Sequence, residues 1–184
     1  MRALDEVDEA QPAAAALVVT AELPQPLQAR AEGLRRAHYP ATRNRVPAHV
    51  TLLRALPPRV EHEARGLLAA LAAELPPPPA RLTGIMDLGT GTALAIESPA
   101  LLDCREMIAA RFHGMLTLQD EAAPRLHVTV QNKVARAEAK ALQAMLGGDL
   151  QAERFTFAAL ALHRYRAGLW EPAGRWPFRG RARR

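Results

Sequence analysis

The chain has 184 residues, 49% hydrophobic and 23% charged, with 24 Lys and Arg against 19 Asp and Glu. That composition fits one soluble globular domain, or two small lobes sharing a core, and excludes a disordered chain, a collagen and a coiled coil. The apolar tract Ala13 to Val19 is far short of the roughly 18 residues of a membrane span, and Asp5, Glu6, Asp8 and Glu9 stand where a secretory leader carries positive charge, so a cytoplasmic chain is expected.

Ala15 to Leu23 is β-branched in its middle and stops at Pro24, which predicts a buried strand. Pro26 opens a helix to about Ala37, with Leu27, Ala31 and Leu34 on its inner face. After a loop holding Pro40 and Pro47, His49 to Arg54 reads as a short strand. A helix follows from about Arg59, its apolar stripe running from Val60 to Leu75, and the prolines at Pro76 to Pro79 stop it. Arg81 to Leu88 and Thr92 to Glu97 flank Gly89-Thr90-Gly91, a hairpin signal. Ser98 and Pro99 then cap a helix expected to reach about Leu116, with Leu101, Cys104, Ile108, Phe112 and Met115 inward. A strand at Leu126 to Val134 follows, then a helix from Ala135 to Leu146 closed by Gly147-Gly148. Phe155 to Arg166 and Leu169 to Phe178 read as a final strand pair. The predicted class is α+β, and no stretch looks like an interdomain linker, so the chain is expected to fold as one unit with loose ends at 1–14 and 179–184.

Cys104 is the single cysteine, so neither a disulfide nor a thiolate metal cluster can form within the chain. All but Lys133 and Lys140 of the basic residues are Arg, and seven of these fall between Arg164 and Arg184. A coding bias toward Ala, Arg and Pro explains the Arg usage as readily as function does, but a basic carboxyl end favours anionic partners.

Each half of the chain contains a strand, a long helix and a short strand beginning His-Val-Thr: His49-Val50-Thr51 and His127-Val128-Thr129. Taken singly, each His is most simply a half-buried strand residue, each Thr ordinary β-propensity. The repetition reverses that judgement. On a strand, His49, Thr51 and Leu53 are expected on one face and Val50 and Leu52 on the other, with His127, Thr129 and Gln131 set likewise against Val128 and Val130. Imidazole and hydroxyl then stand about 6.6 Å apart, and both reach oxygens of one phosphate. Phosphodiester transfer removes a proton from the attacking oxygen and delivers one to the departing oxygen, and two imidazoles with ordinary pKa near ~6.5 serve as base and acid. Thr51 and Thr129 would donate to the equatorial oxygens. This scheme requires neither metal nor cofactor, and no His-Glu-x-x-His or Cys set suggests one. His38, His62, His113 and His163 share no motif and are assigned no chemistry.

With these motifs, HVTL at His49 to Leu52 and LHVTVQNKV at Leu126 to Val134, the sequence resembles the 2H phosphoesterase superfamily, and within it the bacterial 2′-5′ RNA ligase-like proteins. PAHVTLLRALP and the late WEPAGRWPF also look familial. The resemblance implies a bilobal α+β fold with pseudo-twofold symmetry, each lobe an antiparallel sheet with flanking helices offering one motif to a central cleft. It implies metal-independent chemistry on 2′,3′-cyclic phosphates or 2′-5′ linkages of RNA or nucleotides. Carried over by residue, His49 and His127 become the acid/base pair, in an order left open, and Thr51 and Thr129 the phosphate donors. Tyr39, Tyr165 and Trp170 are able to stack a base, though scarce aromatics more simply serve the core. A monomer is expected. The competing reading is a catalytically idle RNA- or nucleotide-binding module using the same cleft; processing of ADP-ribose or tRNA-splicing cyclic phosphates would differ only in substrate.

Overall fold

A computed structural model of the chain describes residues 15–122 and 124–181. The expected loose ends at 1–14 and 182–184 lie outside the described residues, whereas Arg179 and Gly180 donate backbone hydrogen bonds to Ala72 and Leu75.

The first strand, β1 (Ala16–Glu22), is buried on both faces and forms the centre of a sheet rather than an edge. Helix α1 (Gln25–His38) leads to β2 (Val50–Leu56), and a 3₁₀ turn at Pro58–Val60 enters α2 (Glu61–Glu74). The prolines do stop α2, but Pro79 already belongs to β3 (Pro79–Asp87), which turns at Gly89 into β4 (Thr92–Glu97). Gly91 is required there, because a Cβ at that position would lie 2.3 Å from the Gln131 carbonyl oxygen.

Helix α3 (Pro99–Arg111) starts as expected, with Ser98 Oγ accepting from the Leu101 amide. It ends short of Leu116: Gly114 adopts φ 79°, the chain reverses, and a single turn α4 (Leu118–Glu121) follows. Met115 is consequently 37% exposed instead of inward. Strand β5 (His127–Gln131) is shorter than expected because Lys133 turns to φ 57°. Conversely α5 (Arg136–Asp149) runs through Gly147-Gly148, neither of which takes a left-handed φ, and closes with Leu150 N–H on the Leu146 carbonyl.

The expected strand from Phe155 to Arg166 is two strands. β6 (Glu153–Thr156) pairs with β3, and after Phe157-Ala158 the chain crosses to β7 (Ala159–Arg166), which pairs with β1 and with β8 (Leu169–Pro177). Among the described residues this gives two four-stranded antiparallel sheets, β2-β1-β7-β8 and β5-β4-β3-β6, one per lobe. The lobes interlock. Helix α1, which leaves the first sheet, packs on β5 of the second, while α3 and α4, which leave the second, pack on β2 of the first. One continuous apolar core, from Leu17 and Val19 through Leu53 and Phe112 to Val128 and Leu162, therefore serves both lobes. β2 and β5, the two motif strands, are each the outer strand of their sheet and lie against each other at the seam.

Candidate active site

His49 immediately precedes β2 and His127 opens β5, and their local geometry is the same. In each ring Nδ1 lies 2.7 Å from the carbonyl oxygen two residues earlier, that of Pro47 for His49 and that of Arg125 for His127. A carbonyl only accepts, so each Nδ1 carries a proton and donates it. With Nδ1 protonated, Nε2 carries a lone pair on the neutral ring and is a donor on the charged one. Both rings are half-buried at the surface of the strand seam, neither in the packed interior nor fully in solvent.

The alternation expected along the motif strands holds up to each Thr and then breaks. Thr20 pairs with Thr51 but Val19 with Leu53, so Leu52 is an extra residue; Ala93 pairs with Thr129 but Thr92 with Gln131, so Val130 is extra. Each motif strand thus carries a bulge at the residue after its Thr. Leu53 and Gln131, expected beside the motif side chains, are buried, as is Thr129 itself at 6% exposure, and Gln131 Oε1 accepts from Thr92 Oγ1 at 3.2 Å. The bulge lets two successive residues pack inward while the His-x-Thr segment keeps its own face.

Cross-strand partners share a face, so the surroundings of the two motifs can be compared directly. Thr51 stands beside Thr20, whose Oγ1 is 3.2 Å from His163 Nε2. Trp170 packs at a tilt against two imidazoles of this lobe, its ring centroid 5.2 Å from His49 and 5.4 Å from His163. Burial, with the charge of His49 nearby as a smaller cause, lowers the pKa of His163 to about 4, so this ring is neutral near neutral pH. Beside the second motif, Thr129 pairs with Ala93 and His127 with Ala95, and the next strand adds Met86 and Gly84.

His163, left without a role by the sequence, therefore neighbours His49. Its signal was Thr20: a polar residue inside the apolar run Ala-Leu-Val-Val-Thr-Ala, fully buried, needs a partner. Arg35 is a second polar residue set in an apolar pattern. It follows Leu27 and Ala31 at four-residue steps on the inner stripe of α1 and is only 3% exposed. Its guanidinium donates to the Thr129 carbonyl at 2.7 Å, the Val46 carbonyl at 3.1 Å and Asn44 Oδ1 at 3.1 Å, and lies over the Tyr39 ring. Of the other aromatics, Tyr165 is buried, and Trp170 flanks a motif imidazole. His62 is exposed on α2, and His113 is exposed just past the end of α3.

The basic carboxyl end is partly neutralised within the fold. Arg164 reaches Glu61 at 2.7 Å, and this hydrogen bond holds the Glu61 carboxyl below its ordinary pKa; Arg175 pairs with Glu22 at 2.7 Å. Cys104 is buried and its thiol pushed up to about 12, which makes it unreactive. Among the described residues no three His, Cys, Asp or Glu are grouped to hold a metal ion, and no helix is long and apolar enough to cross a membrane.

Two antiparallel lobes, each offering a His-x-Thr motif from the strand at their seam, define the class of the 2H phosphoesterases. The family model of the 2′-5′ RNA ligase superfamily matches residues 23–169, and the chain belongs to that family. Among solved structures, TT0787 of Thermus thermophilus is 18% identical, with 91% of this chain and 100% of that one covered and a TM-score of 0.61. E. coli LigT complexed with NADP+ is 16% identical over 89% of this chain and 97% of that one, with a TM-score of 0.54. LigT complexed with ATP is 18% identical over 89% and 96%, with a TM-score of 0.53. At such identities the likeness is one of fold. A search among curated proteins found no match.

Proposed function

We propose that the chain is a phosphodiesterase that opens 2′,3′-cyclic phosphates or cleaves and joins 2′-5′ linkages of RNA or nucleotides, with His49 and His127 as the general acid/base pair. The observation that carries this reading is the matched tautomer lock. Two imidazoles at the start of two abutting strands are each held by the carbonyl two residues back, so that both present Nε2. One neutral ring takes the proton of the attacking oxygen while the other, charged, protonates the departing oxygen. Thr51 and Thr129 donate to the equatorial oxygens as charge accumulates on them. Proton transfer of this kind needs no metal. A small anionic ligand is in keeping with the nucleotides, 3′-AMP and ATP, bound to LigT in its crystal structures.

The test is turnover of a panel of 2′,3′-cyclic nucleotides and cyclic-phosphate RNA ends in EDTA, with product regiochemistry read by NMR. We expect metal-independent turnover that falls about 10²- to 10⁴-fold in His127→Ala. Loss of activity on chelation, or full activity in His127→Ala, defeats the mechanism. Salt-sensitive RNA binding without turnover, with affinity unchanged in His49→Ala, would identify an idle binding module instead.

A further inference from the structure

The two motif strands belong to different sheets, so no ladder hydrogen bonds fix one against the other. Acid and base must nevertheless be set to within a fraction of an ångström of a shared phosphate. The outer backbone groups of β2 and β5 show what does this.

On one side, Arg35 of α1 spans the seam. One nitrogen of its fork holds the carbonyl of Thr129, a motif residue of the second lobe, and the other holds the carbonyl of Val46, three residues before His49 in the first. A planar guanidinium fixes the relation between its two acceptors, so this contact ties the entry to one motif to the middle of the other. On the other side, the carboxylate of Asp120 in α4 accepts the backbone N–H groups of Arg54 and Ala55 on β2 at 3.0 and 3.1 Å. Asp120 is 4% exposed, and its own carbonyl is held from below by Arg105 of α3, which also donates to the Ala122 carbonyl at 3.3 Å. The two devices are counterparts. In each lobe the helix between the central strand and the motif strand carries a buried Arg, 3% exposed at Arg35 and 2% at Arg105, and the contact it makes or supports lands on the motif strand of the other lobe.

We propose that Arg35 and the Arg105–Asp120 pair are reciprocal struts that set the separation and tilt of β2 and β5, so that each lobe positions the imidazole of the other. They are positioning residues. The kinetic consequence rests on the reading above that both imidazoles serve one phosphate; the structural consequence does not.

The test uses the full chain with Arg35→Ala, Arg35→Lys and Asp120→Asn. If the struts act, kcat on a 2′,3′-cyclic nucleotide falls about 10- to 100-fold in Arg35→Ala with KM changed less than about 3-fold, and Arg35→Lys, which keeps a donor for the Thr129 carbonyl, recovers part of the loss. Asp120→Asn, which retains one acceptor oxygen, loses about 3- to 10-fold. Independently of turnover, the imidazole resonances of His127 move in Arg35→Lys and those of His49 in Asp120→Asn, while those of exposed His62 and His113 stay. A lower melting temperature with kcat per folded molecule and the His127 resonances unchanged would reduce Arg35 to a packing residue and overturn the proposal. Should Arg35→Ala fail to fold, Arg35→Lys decides by the same two readouts. Should the unmutated chain turn over nothing, the functional reading fails, and the resonances alone decide the struts: movement supports them, stillness overturns them.

Discussion

The two His-x-Thr motifs are alike in their own geometry and unlike in their neighbours. His49 and His127 have the same carbonyl lock two residues back, at the same 2.7 Å, and each is followed by a bulge one residue beyond the Thr. Around that common frame the first lobe places Thr20, His163 and Trp170, whereas the second places Ala93, Ala95, Gly84 and Met86. A cyclic phosphodiester has a different group on each side of phosphorus, and a frame with true twofold symmetry would bind it equally well in two opposite orientations. Unlike floors, if they line the bound ester, would remove that degeneracy, and the variants below test this. The first motif has the rings of Trp170 and His163 for neighbours, and the second has only aliphatic ones, Ala93, Ala95, Gly84 and Met86.

The largest effect expected from breaking the comparison is in the frame. His49→Ala and His127→Ala should each lower kcat/KM by about 10²- to 10⁴-fold, and because one acid and one base act in the same step the double variant should lose little more than either single one. The sharper readout is the pH profile between pH 5 and 8, bell-shaped in the unmutated chain and missing opposite limbs in the two variants. Loss of the same limb in both would mean that the two imidazoles do not divide the roles.

A smaller effect is expected in the floors. Trp170→Ala removes the ring that packs against His49 and His163 and should raise KM several-fold while kcat falls less; Ala95→Val, which narrows the second floor beside His127, should also act on KM. If the floors select orientation, the two substitutions shift the ratio of 2′- to 3′-phosphate product in opposite directions, as measured by phosphorus NMR. An unchanged ratio in both would remove the floors from any role in orientation.

How much of this was legible beforehand follows from the range of the signals. The motif residues were readable because His-Val-Thr is local and repeats, and the strands and helices carrying it were readable because Pro, Ser and Gly punctuate them. The break after each Thr was not: a bulge is set by which residue of β1 or β4 lies opposite, and nothing in Leu52-Leu53 or Val130-Gln131 states that partner. The same holds for the division of Phe155 to Arg166 between two sheets, where β-propensity runs on through a change of partner. Gly147-Gly148 reads as a helix stop by propensity, and the packing of α5 on β3 and β4 carries the helix through it. Arg35 and Thr20 were visible as polar residues in apolar patterns, but their partners stand 94 and 143 residues away in sequence, at Thr129 and His163.

A separate effect concerns stability and distinguishes the lobes by their response to acid. His163 belongs to the first lobe, and its pKa in the fold is depressed to about 4 from an ordinary 6.5, chiefly by burial. Between those values the unfolded chain binds more protons than the folded one, so stability rises with pH across this window: the contribution is fully present above about pH 6.5 and is lost as the pH falls toward 4. A shift of this size corresponds to at most about 3 kcal/mol, reduced by the partial exposure of the ring. Asp87, which ties the β3–β4 turn to α5 in the second lobe, has its pKa lowered to about 2, first by the hydrogen bond from Lys140 and then by Gly89 N–H and Gln143. Its contribution is present above pH 3.8 and is lost below it, and for an exposed pair is under about 1 kcal/mol. Urea denaturation at intervals from pH 7 to 3 should therefore show a first decline from pH 6.5 that is flattened in His163→Gln and unaffected by Asp87→Asn. A decline that persists unchanged in His163→Gln would assign it to other titrating groups and remove the neutral, half-buried imidazole from the account of the first lobe.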